Sequence, residues 1–398
     1  MISLDEARAR IVAALADCGT ETVPYSEACG RVLAEPLIAQ RTQPPFNASA
    51  MDGFAIRSSD LNQSAARFKR AGESAAGQRS MTGVQPGEAM RISTGAPMPG
   101  GADQVVMQER ATQKGDILTF DETRRPGANI RKAGIDFHVG DTLLPAGSRL
   151  SPDAIGLAVG AGLTELLVYR RPRVGILSTG NELVEPGDAT GPDQIINSIS
   201  KALDGWVRRW GGEPVYLGIA RDDPADVRSK LSSGDGLDLI VTIGGASVGD
   251  HDHLRRVFAE EGGVLDFEKI AVKPGKPTWF GKLGSTHFLG LPGNPVSSLV
   301  MARLCLRPAL EALSGQSPSL AFETAELGVS LAANGPRENF IRAQREPGTR
   351  RVLPVCNQDS SALSALVRAT CLIRRPANAP DAQAGATVEI LSLDDRHD

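Results

Sequence analysis

Apolar positions along the chain fall into three successive patterns. Near the start, Leu4, Ala7, Ile11, Ala14 and Leu15 recur at helical period, and Ser3 with Glu6 has capping-box spacing, so a helix is expected there. From about residue 50 to 147 the pattern is β, with short apolar runs at 104–108 and 116–120 broken by Pro86-Gly87 and Lys114-Gly115. Ser151-Pro152 marks a second helix start, an N-cap followed by Pro at the first helical position. From Arg173 onward strand and helix alternate. Strands are expected at 174–177, 215–219 and 239–243, and a β segment over 267–291. Helices are expected from Asn197, over 224–231 behind an Asp223 cap, over 252–261, and from Asn294-Pro295. Uninterrupted apolar strands suit burial on both faces, and the alternation predicts a parallel, doubly wound α/β sheet. Beyond about Ser319 short β runs predict a small barrel or sandwich.

Composition narrows the picture further. At about 100–200 residues per domain, 398 residues imply two to four domains. Hydrophobic content of 41% and charged content of 23% exclude wholesale disorder. A net charge of −4 offers no cationic field for a phosphate polymer, and 4% aromatics leave few stacking platforms, so nucleic acid is not an expected partner. Five dispersed cysteines without a CxxC pair argue against a disulfide framework and a structural zinc site. The first residues are charged, with no signal-peptide core, and no apolar run reaches the ~18 residues of a membrane span. The expectation is a soluble, cytoplasmic protein without a membrane partner.

In an open α/β sheet, ligands bind beyond the carboxyl ends of the strands. Each predicted strand end here carries residues suited to anions or metals. Ser178-Thr179-Gly180-Asn181-Glu182 follows the first, Arg221-Asp222-Asp223 the second, and Gly244-Gly245-Ala246-Ser247-Val248-Gly249-Asp250-His251-Asp252 the third. Pro292-Gly293-Asn294-Pro295-Val296-Ser297 follows the last. Gly244, Gly245 and Gly249 let the backbone turn N–H groups toward an anion, while Gly293 permits close approach, Asn294 caps and Pro295 starts a helix. A single glycine-rich turn is commonly no more than a tight turn. Two of them beside three carboxylates, Glu182, Asp222 and Asp252, point to an anion with a cation, and Mg²⁺ fits best. Lys269, Ala271 and Lys273 would share one strand face, with Lys276 in the next turn, suiting a phosphate or inorganic oxyanion. Ser297 reads as a phosphate donor rather than a nucleophile. His251 and His253 diverge on a helical turn and read as solvated or capping groups. Asp52-Gly53 and residues 92–99 read locally as turns.

Taken in order, these segments resemble the molybdopterin molybdenumtransferases, the MoeA family, which is similar to the gephyrin E domain. The matching stretches are Ser49-Ala50-Met51-Asp52-Gly53-Phe54-Ala55, Ser93-Thr94-Gly95-Ala96-Pro97, Val105-Val106-Met107-Gln108-Glu109, Ser178-Thr179-Gly180-Asn181-Glu182-Leu183 and Arg221-Asp222-Asp223, then Gly244-Gly245-Ala246-Ser247-Val248-Gly249, Lys273-Pro274-Gly275-Lys276-Pro277 and Leu291-Pro292-Gly293-Asn294-Pro295-Val296-Ser297. Phe340-Ile341-Arg342 and Asp359-Ser360-Ser361 sit where the family has an Arg and a Ser-rich turn.

The resemblance implies a multidomain fold. Residues 1–44 and 140–171 would form a helical linker region, 45–139 an inserted β (lasso-like) domain, 172–318 the α/β molybdopterin-binding domain and 319–398 a C-terminal β-barrel. It implies insertion of molybdate into adenylylated molybdopterin with release of AMP, the last step of molybdenum cofactor biosynthesis. Glu182, Asp222 and Asp252 would then hold Mg²⁺, and Lys269 and Lys273 molybdate or the terminal phosphate. Thr179, Gly180, Gly244, Gly245, Ser247, Gly249, Lys276, Pro292, Gly293, Asn294, Pro295 and Ser297 would bind the substrate. Asp52, Thr94 and Asp136 would close the cleft, which the family forms between the inserted domain of one subunit and the α/β domain of the other. A homodimer is therefore implied, with the molybdopterin adenylyltransferase and molybdoenzymes as further partners. Two alternatives remain: another enzyme on the same α/β domain, such as the adenylyltransferase or the competence-damage amidases, against which the Met51-Asp52-Gly53 and Thr94-Gly95-Ala96-Pro97 segments argue, and a non-catalytic scaffold, which intact Glu182, Asp222 and Asp252 disfavour.

Overall fold

The computed structural model describes residues 1–62, 66–245, 253–318 and 320–393. The chain forms two compact units: Met1–Glu21, Gly30–Ala34 and Val168–Asp398 make the first, Thr22–Cys29 and Glu35–Leu167 the second. Helix α1 (Leu4–Ala14) opens the first unit, and Ser3 caps it by accepting the Glu6 N–H at 3.1 Å. Its buried face, Leu4, Ala7 and Ile11, joins the core of the α/β sheet. Although the resemblance puts this stretch in a linker region, its apolar stripe is buried with the sheet.

In the second unit, six strands lie in the order Gln104–Met107, Gly53–Ile56, Glu88–Ile92, Arg67–Ser74, Ile117–Phe120 and Ala111–Lys114. The apolar runs read at 104–108 and 116–120 are two of them. Alternate residues of Gly53–Ile56 serve opposite faces. Phe54 and Ile56 pack with Phe68, Val106 and Leu118, while Ala55 packs with Ile92, Ala96 and Val105. Helix α2 (Pro152–Gly160) begins as its Ser-Pro start predicts, with Ser151 Oγ accepting the Ala154 N–H at 3.1 Å.

The α/β sheet of the first unit runs Glu213–Ala220, Arg173–Thr179, Leu239–Ile243, Thr286–Leu291, Trp279–Leu283, Val264–Phe267. Its first four strands are parallel, and Trp279–Leu283 pairs antiparallel with its neighbours on both sides, Thr286–Leu291 and Val264–Phe267. That edge departs from the all-parallel expectation because Gly284, at φ +59°, and Ser285 form a two-residue hairpin loop between paired Leu283 and Thr286. Helices cover both faces. Val174, Ile176, Leu239, Val241 and Ile243 pack with α1, with α3 (Ser198–Arg209), and with the continuous rod made by α6 (Pro295–Met301), five π-helical residues (Ala302–Leu306) and α7 (Arg307–Leu313). Leu177 and Ile240 face the other way, toward α4 (Pro224–Ser232) and α5 (His253–Glu260). Two-sided burial is the reason these strands read as continuous apolar runs.

Five strands of the C-terminal region close into a barrel in the order Glu338–Arg345, Arg351–Pro354, Phe322–Leu327, Thr387–Ser392, Cys371–Arg375, the last pairing again with the first. Closure leaves no free edge within the ring. A short helix, α8 (Leu363–Arg368), interrupts the β pattern. The two-residue strand Val272–Lys273, which belongs by sequence to the α/β region, pairs with Glu338–Asn339 and ties barrel to sheet within this unit.

One close approach in the sheet gives a direct test. Gly290 pairs with the fully buried Trp279, and a Cβ there would fall 1.8 Å from the indole Nε1. Gly290→Ala is expected to lower stability by about 1–3 kcal/mol in urea unfolding. An unchanged midpoint would show that the indole can move aside.

Candidate active site

At the carboxyl ends of the parallel strands the chain must turn sharply, and packing dictates where glycine stands. Gly244 follows Leu239–Ile243 at φ +86°, and a Cβ on it would lie 2.8 Å from Thr179 Oγ1 and 2.9 Å from the Thr179 carbonyl. Gly245, at φ +58°, would meet Leu254 of α5 at 2.9 Å. The neighbouring loop repeats the pattern. Gly180 has φ +139°, and the Glu182 carboxylate folds back over it, 2.3 Å from where a Cβ would stand.

These loops line a cavity of about 870 Å³ whose wall includes Thr179, Gly180, Glu182, Asp222, Gly244, Gly245, Lys269, Lys276, Pro292, Gly293, Asn294 and Pro295. Glu182 and Asp222 are exposed. Asn181 and Asp222 hold each other: the Asp222 N–H donates to Asn181 Oδ1 at 3.1 Å, and the Asn181 N–H to Asp222 Oδ2 at 3.3 Å. No ion pair neutralises either carboxylate among the described residues. An apolar rim, Leu183, Ile195, Ile196 and Ile199, completes the cavity. Ile195 and Ile196 are 58% and 50% exposed, which leaves an apolar surface at its mouth.

Asn197, 2% exposed, lies beneath that rim. Its Oδ1 accepts from Ser178 Oγ at 3.0 Å, and its Nδ2 donates to the Tyr216 hydroxyl at 2.9 Å. Tyr216 in turn donates to Glu185, which pairs with Lys201 at 3.2 Å. Burial and the Glu185 carboxylate push the Tyr216 phenol well above its usual range, so it remains a donor. Partial burial works against ionisation of Glu185, but the Tyr216 and Lys201 bonds outweigh it and hold the carboxyl below its usual range.

A second cavity of about 700 Å³ shares Lys276 and Pro277 with the first. Its described lining carries four cationic side chains, Lys273, Lys276, Arg337 and Arg342, against the single carboxylate of Asp359, with Ser297 and Ser360 alongside. Arg342 is 2% exposed, and its buried Nε has no hydrogen-bond partner. Burial lowers its pKa against the opposing pull of Asp359. Asp359 itself is held below the usual carboxylate range by the Ser361 hydroxyl and N–H. The described lining therefore carries an excess of positive charge.

Family profiles cover most of the chain. "MoeA N-terminal region (domain I and II)" matches residues 2–162, "Probable molybdopterin binding domain" residues 175–312, and "MoeA C-terminal region (domain IV)" residues 324–393. The molybdopterin molybdenumtransferase of Haemophilus influenzae is 37% identical over 400 residues, 98% of each chain. Molybdopterin molybdenumtransferase 2 of Mycobacterium tuberculosis is 34% identical over 99% of this chain and 100% of its own. The chain belongs to the MoeA family. A solved structure of the molybdopterin biosynthesis MoeA protein of Pyrococcus horikoshii has the same architecture, with a TM-score of 0.83 at 29% identity over 98% of this chain and 99% of that one.

Several residues expected from the MoeA resemblance sit differently from their sequence reading. Lys269 and Lys273 do not share a strand face. The segment folds back on itself, with Ile270 N–H donating to the Lys276 carbonyl and Val272 N–H to that of Ile270. Lys269 therefore lines the first cavity, Lys273 the second and Lys276 both. Asn294 holds the N-cap position but does not cap with its side chain; its Nδ2 donates to Ser360 Oγ at 3.1 Å instead. The Ser360 carbonyl accepts the Val296 N–H at 2.9 Å, so the barrel caps α6. Ser297, 4% exposed, lines the second cavity rather than the first. Gly293 makes only ordinary contact, a Cβ there lying 3.6 Å from Gly244. Ser247, Gly249 and Asp252 lie outside the described residues.

In the second unit, Asp52 and Thr94 come together, the Thr94 N–H donating to Asp52 Oδ1 at 2.7 Å. Asp136 is placed separately, its N–H bonded to the Gln43 carbonyl at 3.1 Å, and no hydrogen bond joins it to Asp52 or Thr94 among the described residues. Sequence reasoning passed over Asn197, the Ile195–Ile196 rim and Arg337. By its local pattern Asn197 marks only a helix start.

The two glycines that lie against each other in the wall of the first cavity should respond differently. Gly244→Ala combines a left-handed φ with a backbone clash and is expected to cost roughly 1–3 kcal/mol in chemical denaturation. Gly293→Ala should stay within about 0.5 kcal/mol. Equal losses would refute this account of the turn.

Proposed function

We propose that the chain joins molybdate to the dithiolene sulfurs of adenylylated molybdopterin and releases AMP. The observation that carries this reading is the pair of cavities that share Lys276 and Pro277, one edged by carboxylates and a glycine turn, the other cationic. The first suits a phosphate-bearing heterocycle, and the second suits a compact inorganic dianion.

Glu182 and Asp222, joined by Asp252, would hold Mg²⁺; their hard oxygen donors fit it, and two exposed carboxylates that form no ion pair among the described residues favour a cation there. When bound, Mg²⁺ supplies charge stabilisation at the pyrophosphate. Lys269 and Lys276 neutralise substrate phosphates, and the N–H of Gly245 orients them, that of Gly244 being given to the Leu291 carbonyl at 3.1 Å. Lys273, Arg342, Ser297 and Ser360 hold molybdate beside the dithiolene, and Asp52 and Thr94 complete the cleft from the partner subunit of a homodimer. The apolar rim keeps water from the ring end of the substrate. This reading also places the protein in the cytoplasm, receiving substrate from an adenylyltransferase and passing cofactor to molybdoenzymes. No helix among the described residues is long and apolar enough to cross a membrane.

AMP release from adenylylated molybdopterin, with and without molybdate, tests the reaction; binding without release would favour a scaffold. Asp222→Asn should keep the fold and lose about tenfold or more in AMP release at ordinary Mg²⁺, and full activity in EDTA would overturn the metal assignment. Lys273→Ala should raise the molybdate needed for half-maximal turnover about tenfold and change the KM for the organic substrate little. If the organic KM shifts instead, the lysine serves the phosphate.

The shared site has its own test. Asp52→Ala and Glu182→Ala subunits, each inactive, are unfolded together and refolded in equal amounts, giving about half hybrids by random pairing. In each hybrid one site carries both defects and the other neither, so activity should return to about a quarter of wild type. Hybrids, verified with two tags, that stay dead would place each site within one subunit.

A further inference from the structure

The apolar rim of the first cavity belongs to a narrow ribbon, and one hydroxyl fastens both of its strands to the sheet. Leu183–Val184 and Ile195–Ile196 pair in parallel. The Ile195 N–H donates to the Glu182 carbonyl and the Asn197 N–H to the Val184 carbonyl, each at 2.8 Å. Glu182 therefore stands at the foot of one ribbon strand, and Ile195 and Ile196 form the other. Glu185 follows the first strand and Asn197 the second. Both reach Tyr216, on the edge strand Glu213–Ala220. The Tyr216 hydroxyl has one proton, which it gives to Glu185, while its oxygen accepts from Asn197 Nδ2 at 2.9 Å. Lys201 of α3 closes the cluster, with its ammonium 3.2 Å from Glu185 and 3.8 Å from the Tyr216 ring centroid.

Exposed ion pairs contribute little by themselves, and Tyr216 is 38% exposed. The Asn197 amide differs, because it is buried and every bond it makes is internal. Removing the Tyr216 hydroxyl leaves a buried amide N–H without its acceptor and frees Glu185 at the same stroke, so both ribbon strands lose their anchor together.

We propose that Tyr216 is a positioning residue which, through Asn197 on one ribbon strand and Glu185 on the other, holds Glu182, Ile195 and Ile196 in the geometry the substrate requires. The proposal rests on the reading of the first cavity as the adenylylated molybdopterin site. Tyr216 touches no substrate; it acts by fixing a ribbon that does.

The test compares Tyr216→Phe, Glu185→Leu and Glu185→Gln with the wild-type chain. Hydrogen exchange of the unliganded protein should speed up about tenfold across residues 182–197 in the first two variants, with the remaining core unchanged. The KM for adenylylated molybdopterin should rise about tenfold, with kcat within about twofold and the molybdate requirement unaltered. Glu185→Gln, which still accepts the hydroxyl proton, should restore wild-type exchange and KM. Unchanged ribbon exchange, or a uniform loss of protection with a lower melting temperature, would overturn the positioning role. A wild-type protein that releases no AMP would sink the reading of the reaction, while the ribbon's exchange rates would still decide whether Tyr216 fastens it.

Discussion

Strand Leu239–Ile243 is buried on both faces and ends against its neighbour Arg173–Thr179, so the chain leaving it has almost no room. A Cβ on Gly244 would lie within 3 Å of Thr179 Oγ1 and the Thr179 carbonyl, and that steric constraint organises the site. The turn has to be glycine, and the opposing turn at Gly293 can come within van der Waals contact of it. The first cavity is the space left in front of these turns, and the residues placed at the same sheet edge, Glu182 and Asp222, become its walls.

A second consequence concerns charge. The loop from Lys269 to Lys276 folds back through the Ile270–Lys276 backbone bond and sends its lysines into two different cavities. The first cavity mixes Glu182 and Asp222 with Lys269 and Lys276, whereas the second gathers four cations against the single carboxylate of Asp359. Such a gathering is costly for a structure that binds nothing, since like charges repel and a buried guanidinium such as Arg342 loses hydration. It is favourable where an anion binds. The barrel contributes directly, because Ser360 takes over the capping of α6 and Arg342 lines the anion side.

Much of the α/β architecture could be read from the chain. Period-two and period-3.6 apolar patterns, the Ser3, Ser151 and Asp223 caps and the doubly apolar strands are local, and the structure realises them. The antiparallel edge was harder, because the Gly284–Ser285 hairpin lies inside a longer β run and its short turn signal was read as part of that run. Among site residues, Glu182, Asp222, Gly244 and Gly245 were legible because their spacing places them at strand ends. The capping partner of α6 is not legible, because the Asn294 side chain bonds Ser360 and the Ser360 carbonyl takes the Val296 N–H, so the cap depends on a barrel residue more than sixty positions away.

The sequence by itself determined which segments become strands and helices, which turns need glycine, and that acids and lysines cluster at the sheet's carboxyl edge. These follow from steric and hydrophobic preferences that act over a few residues. Only the tertiary structure decided how those groups are shared between two cavities, that Arg342 and Ser360 join them, and that the Tyr216 hydroxyl holds the Glu182 ribbon. Those outcomes depend on contacts between segments distant in the chain, where packing and charge compensation, rather than local propensity, select the partner.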